Sequence, residues 1–378
     1  IITVDNTTID NTCTIGSGES LNVTATGVIT VPLANTPNNG VQLATGVSAV
    51  SITNAGTINP VAVALNIEGT LTGGITNTGT IASTGPWGGI TEEGIRLSGA
   101  TVNGAISNGP AGMISAVNGT AIHIVNSSVV GGITNAAGGN INTAGGFAAL
   151  DISNAQIGTI DNAGHIGKTP GQNGRGMALS SVTLTGDILN SGSIDTQGGN
   201  AALSVSTSTV SGKISNSGTI GGPSSNGLSV VNSSTVGMIE NTATGIISGG
   251  TQMIGVGNST VTSGIVNAGK LYGIHPIVLT TSTISGGGIL NDTGAETHGQ
   301  RSISLSVAQI SGDIVNRGLM DGAEGGITAF NGSTITGNVI TPAPSPPPCR
   351  AAPVDWMAPA YSSAATPMSL ARSLTVRS

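Results

Sequence analysis

GDILNSGSI at residues 186–194 and GKISNSGTI at residues 212–220 are two copies of one unit, Gly-x-Ile-x-Asn-x-Gly-x-Ile. Read outward from these copies, the asparagine of the unit recurs at Asn54, Asn77, Asn108, Asn135, Asn162, Asn190, Asn216, Asn241, Asn267, Asn291 and Asn316. A degraded copy follows at Gly337 and Val339, with Thr341 where the asparagine is expected. Successive asparagines lie about 26 residues apart, the length of one turn of a solenoid whose turns bury a common core only by stacking. Between the copies, Leu203 and Val205, then Val210 and Gly212, mark two earlier strands in which apolar and small polar residues alternate with period two. The expected fold is therefore an all-β, right-handed parallel β-helix of about 12 or more coils, with three short strands per coil in three sheets. The handedness follows from the strong preference of parallel crossovers for the right hand.

Composition agrees with a narrow, repetitive core. Glycine supplies 61 of the 378 residues and there are only two Trp, two Tyr and two Phe. Ile, Val, Leu and Ala must fill an interior too thin for aromatic rings. A low-complexity disordered chain would share the low charge but has no reason to keep a period. The net charge of −7, without clusters of Lys or Arg, argues against nucleic acid. No apolar run is long enough to span a bilayer as a helix, so no transmembrane segment is expected in this chain. Cys13 and Cys349 lie at opposite ends and are expected to be out of disulfide reach in a rod.

The asparagine is expected at a tight corner where the backbone leaves the sheet. There Asn tolerates a left-handed conformation and offers a donor and an acceptor to neighbouring coils. The glycine two residues later is expected to have positive φ. A second, less regular ladder is expected at another corner, where Asn126, Asn154, Asn232, Asn258 and Asn331 share a repeat position with Ser181, Thr207 and Thr281.

These coils, the Ser- and Thr-rich strands, and the opening Thr14, Ile15, Gly16, Gly18, Glu19, Leu21, Val23, Gly27 and Ile29 resemble the β-helical passengers of bacterial autotransporters, the pertactin-like and AIDA-like family of type V secretion. The resemblance covers roughly residues 1–341. It implies a virulence-associated adhesin or self-association passenger, secreted or displayed at the outer membrane, with a host-cell or bacterial surface receptor or another copy of itself as partner. It is specific for the architecture and only weakly specific for activity, since related passengers include proteases and esterases that carry extra domains; from the residues themselves no enzyme activity and no cofactor are expected. The alternative on the same architecture is a β-helical carbohydrate-active enzyme, a polysaccharide lyase or glycosidase. Such passengers normally continue into a translocating barrel, which these residues do not contain, and the start at Ile1 is what an exported chain that has lost its signal would show. Residues 342–348, rich in proline, are expected to be a stiff linker, and 349–378 an unstructured or truncated tail.

The most variable stretches fall between the last strand of one coil and the first of the next, so insertions are expected along one edge of the rod: 82–93, 165–175 and 295–301. Candidate binding residues there are Trp87, Glu92, Glu93, Arg175, His298 and Arg301. Asp161 and Asp187 form the best carboxylate pair, about 8 Å apart by strand geometry, but Lys213 at the next coil is expected to pair with Asp187. No catalytic set and no metal site is expected, since His123, His165, His275 and His298 are dispersed. The outward row just before the ladder asparagines, Thr53, Thr76, Ser107, Thr134, Asp161, Leu189, Ser215, Glu240, Val266, Leu290 and Val315, is not a threonine array. It turns apolar at its C-terminal end, where a partner could pack.

Overall fold

The computed structural model describes residues 1–32, 38–85, 92–168, 174–198, 200–222, 226–341 and 376–377. Trp87 and the linker and tail at 342–375 lie outside them. The described chain is a parallel β-solenoid of about 12 turns with no helix among the described residues. All strand pairings join successive coils in parallel.

The coil at 177–195 shows the plan: Met177–Ser180, Thr183–Leu184, Ile188–Asn190 and Ser193–Asp195. Most coils have four short strands rather than three, and hydrogen bonding gathers them into two sheets rather than three. The second and third strands of the coil share one sheet, where Thr209–Asn216 runs unbroken through both positions. The fourth and the next coil's first share the other, which Glu296–Ser306 crosses without a break. The physical reason lies in the repeat itself: the element read as one strand from Ile214 to Ile220 breaks at its asparagine, and Thr219–Gly221 continues in the opposite sheet. Val376–Arg377 pairs with Ala329–Phe330 in that sheet.

The interior is built of rows. Ile52, Ile75, Ile106, Ile133, Ile160, Ile188, Ile214, Ile239, Ile265, Ile289 and Ile314 stack in register and are at most 1% exposed. Each such side chain contributes roughly 1.5–3 kcal/mol by leaving water, which individual two- or three-residue strands need in order to be ordered at all.

All eleven expected ladder asparagines form the ladder. Each Nδ2 donates to the Oδ1 of the next at 2.7–2.9 Å, from Asn54 to Asn316. The same amide reaches a carbonyl of its own corner, as Asn77 to Gly79 at 3.1 Å, and one in the coil above, as Asn77 to Met113 at 3.2 Å. Corner lengths differ without disturbing this pattern. Asn108, Asn135 and Asn241 instead bond the glycine four residues on, at 3.0, 3.3 and 3.1 Å.

Three local expectations are corrected. The ladder asparagines are not left-handed, and positive φ at their corner falls on Ala111, Gly138 and Gly294 instead, whereas at the other corner Asn126, Asn154, Ser181, Thr207, Asn232, Asn258, Thr281 and Asn331 have φ between 48° and 59°. Glycine follows the ladder asparagine because of crowding instead. A Cβ on Gly192 would fall on the carbonyl oxygen of Gly164, and one on Gly218 on that of Gly192. The inter-coil bonds of the second corner are also made mainly by a serine one or two residues on. Ser208, Ser234, Ser259 and Ser282 are nearly fully buried, and the Ser208 and Ser234 backbone N–H groups each donate to the following hydroxyl at 3.1 Å.

Replacing Asn216 by Leu strands the Asn190 donor and the Asn241 acceptor in a dry corner. This should destabilise the adjacent coils by about 1 to 3 kcal/mol, read as faster amide hydrogen exchange confined to strands near 188–241. Loss of protection spread evenly along the rod would contradict the nearest-neighbour picture.

Candidate functional site

With the core closed by aliphatic rows, chemistry is left to the outer faces, where register brings together residues some 26 positions apart. On the first strand of each coil the outward row runs Gln42, Asn66, Arg96, His123, Asp151, Ala178, Ser204 and Ser229. Its middle carries three titratable side chains on successive coils.

Glu93 organises that cluster. Its Oε1 lies 2.5 Å from His123 Nδ1 and its Oε2 3.6 Å from Arg96 Nε. The hydrogen bond to Glu93 holds the His123 imidazole above its ordinary pKa, with the negative charges of Glu93 and Asp151 adding to the effect. Burial pushes the Asp151 carboxyl up, against the pull of His123 and Arg175. Glu92, 4% exposed, is also pushed up by burial. Neither Glu92 nor Glu93 projects from an exposed loop, as the edge reading expects: Glu93 opens the strand Glu93–Ser98 and is 6% exposed.

After Asp151 the row drops to Ala178 and Ser204. The step leaves a groove enclosing about 380 Å³, with Phe147, Asp151, Arg175, Asn200, Ser204 and Asn232 among its walls and floor. Phe147 and Asn200 come from the edge between coils, Asn232 from the left-handed corner. Arg175 is the one edge candidate that lines this groove.

His298 and Arg301 lie elsewhere, about eight turns or ~38 Å along the rod from Glu93. The stretch 295–301 is mostly strand, not an edge loop. His298 stacks on Tyr272 with ring centroids 5.2 Å apart, and its Nε2 and Nδ1 approach Glu296 at 3.2 Å and Asp321 at 3.4 Å. Arg301 pairs with Glu324 at 2.9 Å. The candidate residues thus divide among separate places instead of converging, and Trp87 lies outside the described residues.

The Asp161 and Asp187 pair also resolves differently. Asp187 Oδ1 accepts the backbone N–H of Lys213 at 2.8 Å, while the Lys213 ammonium goes to Glu240 at 2.9 Å. Against the following coil, the register of this strand shifts between Val210 and Lys213. Asp313 caps the Asn338 N–H in the same manner at 2.7 Å. These aspartates serve the backbone. On the other sheet, the row before the ladder asparagines holds the residues read from sequence, but threonines align one strand earlier, at Thr183, Thr209, Thr235, Thr260 and Thr283. The Thr-x-Thr spelling at 183–185 and 260–262 was the available signal.

Comparison with family models, with curated proteins and with solved structures finds no match in any of the three.

The raised His123 pKa fixes the sign of a pH effect. Protonated His123 stabilises the fold fully below the ordinary imidazole value of 6.5, and this is lost as pH rises through the higher folded value. The Asp151 shift has the same sign at lower pH. Amide protection of 120–125 should therefore fall as pH is raised from about 6.5, and His123→Gln should flatten that dependence. An unchanged slope in the variant would place the titration elsewhere.

Proposed function

We propose that this chain is an extracellular contact protein, the β-helical passenger of an autotransporter-type adhesin, secreted or displayed on a bacterial surface and binding a surface receptor or another copy of itself. The observation that carries this reading is the outer surface. It presents long rows of hydroxyl and amide side chains at the coil spacing, and its grooves open outward over several coils. Such a surface suits many shallow contacts summed along a rod more than closure around one reacting bond. The Val266, Leu290 and Val315 row, half-buried and apolar, adds a place for packing against a second surface.

One observation favours the carbohydrate-active alternative. Asp151 is a carboxyl pushed up by burial and sits in a groove, as a general acid would. It has no second free carboxylate across the groove among the described lining residues. Cells displaying the chain should aggregate or adhere above an empty-display control, while the purified chain should cleave no polysaccharide. Cleavage that is abolished by Asp151→Asn would replace the adhesin reading with the enzymatic one.

A further inference from the structure

Six lysines and arginines have described side chains, and five of them face a carboxylate. Arg96 pairs with Glu93, Lys213 with Glu240, Lys270 with Glu296, Arg301 with Glu324 and Arg317 with Asp292. Arg175 is the sixth, and among the described residues it has no ion pair. It is exposed and lines the groove together with Phe147 and Asp151. An unpaired guanidinium is a planar fork of donors suited to a carboxylate.

The rest of the groove has a different character. Ser180, Ser204, Ser206, Asn200 and Asn232 offer hydroxyls and amides, which match a ligand rich in hydroxyl groups. Phe147 is 48% exposed, a large apolar ring kept at the surface with one face of the groove to cover. A sugar ring has an apolar C–H face and a polar rim, so a ring on Phe147 could still hydrogen-bond the floor. The lining spans the coils of Asp151, Ala178, Ser204 and Val231, three steps or ~14 Å along the rod. That length fits a short oligosaccharide rather than a single ring.

From this combination we infer that the groove binds a carboxylate-bearing oligosaccharide, its acid group on Arg175 and a sugar ring against Phe147. The inference rests on the contact-surface reading and supplies that surface with a ligand class. Asp151 lines the same groove, its carboxyl pushed up by burial and drawn down by the charges of His123 and Arg175.

The test uses the full chain and calorimetric titration with trigalacturonate, with maltotriose as the neutral probe of equal length. Trigalacturonate should bind and maltotriose should bind at least tenfold more weakly. Arg175→Gln and Phe147→Ala should each weaken trigalacturonate about tenfold, whereas Arg317→Gln, whose cation lies on a distant coil, should leave it unchanged. Circular dichroism melts of the variants confirm folding, and Arg175→Lys provides a second variant that keeps the charge but loses the fork. Absence of binding by the unmodified chain, equal binding of the two probes, or equal weakening by Arg317→Gln would each overturn the inference. Adhesion retained by Arg175→Gln cells with no saccharide binding by the unmodified chain would remove this ligand and leave the contact-protein reading standing. Saccharide binding without adhesion would do the reverse.

Discussion

One buried amide hydrogen bond per coil sets the register on which the structure depends. The strands are only two to four residues long in most coils, too short to fix their own alignment by side-chain packing. A slip of one residue would turn every inward isoleucine to solvent. Because Asn190 must meet Asn216, and Asn216 must meet Asn241, such a slip would also strand an amide in a corner from which water is excluded. Apolar rows supply most of the driving force. The ladder supplies the alignment that lets them act.

The same constraint explains where variation is tolerated. Coil lengths between ladder residues range from 23 to 31, yet every ladder bond closes within a narrow distance. Extra residues are accommodated in the corner between Asn and the next strand, as at Asn108–Gly112, or at the edge between coils. The groove at Asp151 arises from this freedom, since its walls come from edge and corner segments while its floor is a regular row.

The ladder, the aliphatic rows and the parallel stacking were legible because each repeats, and repetition separates signal from accident. The number of strands was less so. Ile214, Asn216, Gly218 and Ile220 keep an unbroken alternation through a sharp bend, and alternation alone does not show where a sheet ends. The two corners were confused because asparagine has two uses, a left-handed backbone at Asn154 and an amide donor at Asn162. At the candidate site, Arg175 was visible as an edge residue, but Phe147 and Asn232 are some 85 positions apart and nothing local joins them. Adjacent charges such as Glu92 and Glu93 ordinarily read as a solvated turn, and only the packing of the coils shows them buried.

The asparagine ladder also has a direction. In all ten bonds the N–H of the earlier coil points toward the carbonyl of the later one. The series begins at Asn54, whose Oδ1 has no partner because Val23 stands opposite it. Sheets largely cancel their own peptide dipoles, whereas these side-chain amides are aligned head to tail along the axis. The rod therefore carries an axial electric polarity with its oxygen end near the first coils. Each amide polarises the next, by roughly 10–30% per bond in condensed-phase estimates, so the ladder is firmest in its middle and loosest at the two places where the series of amides stops.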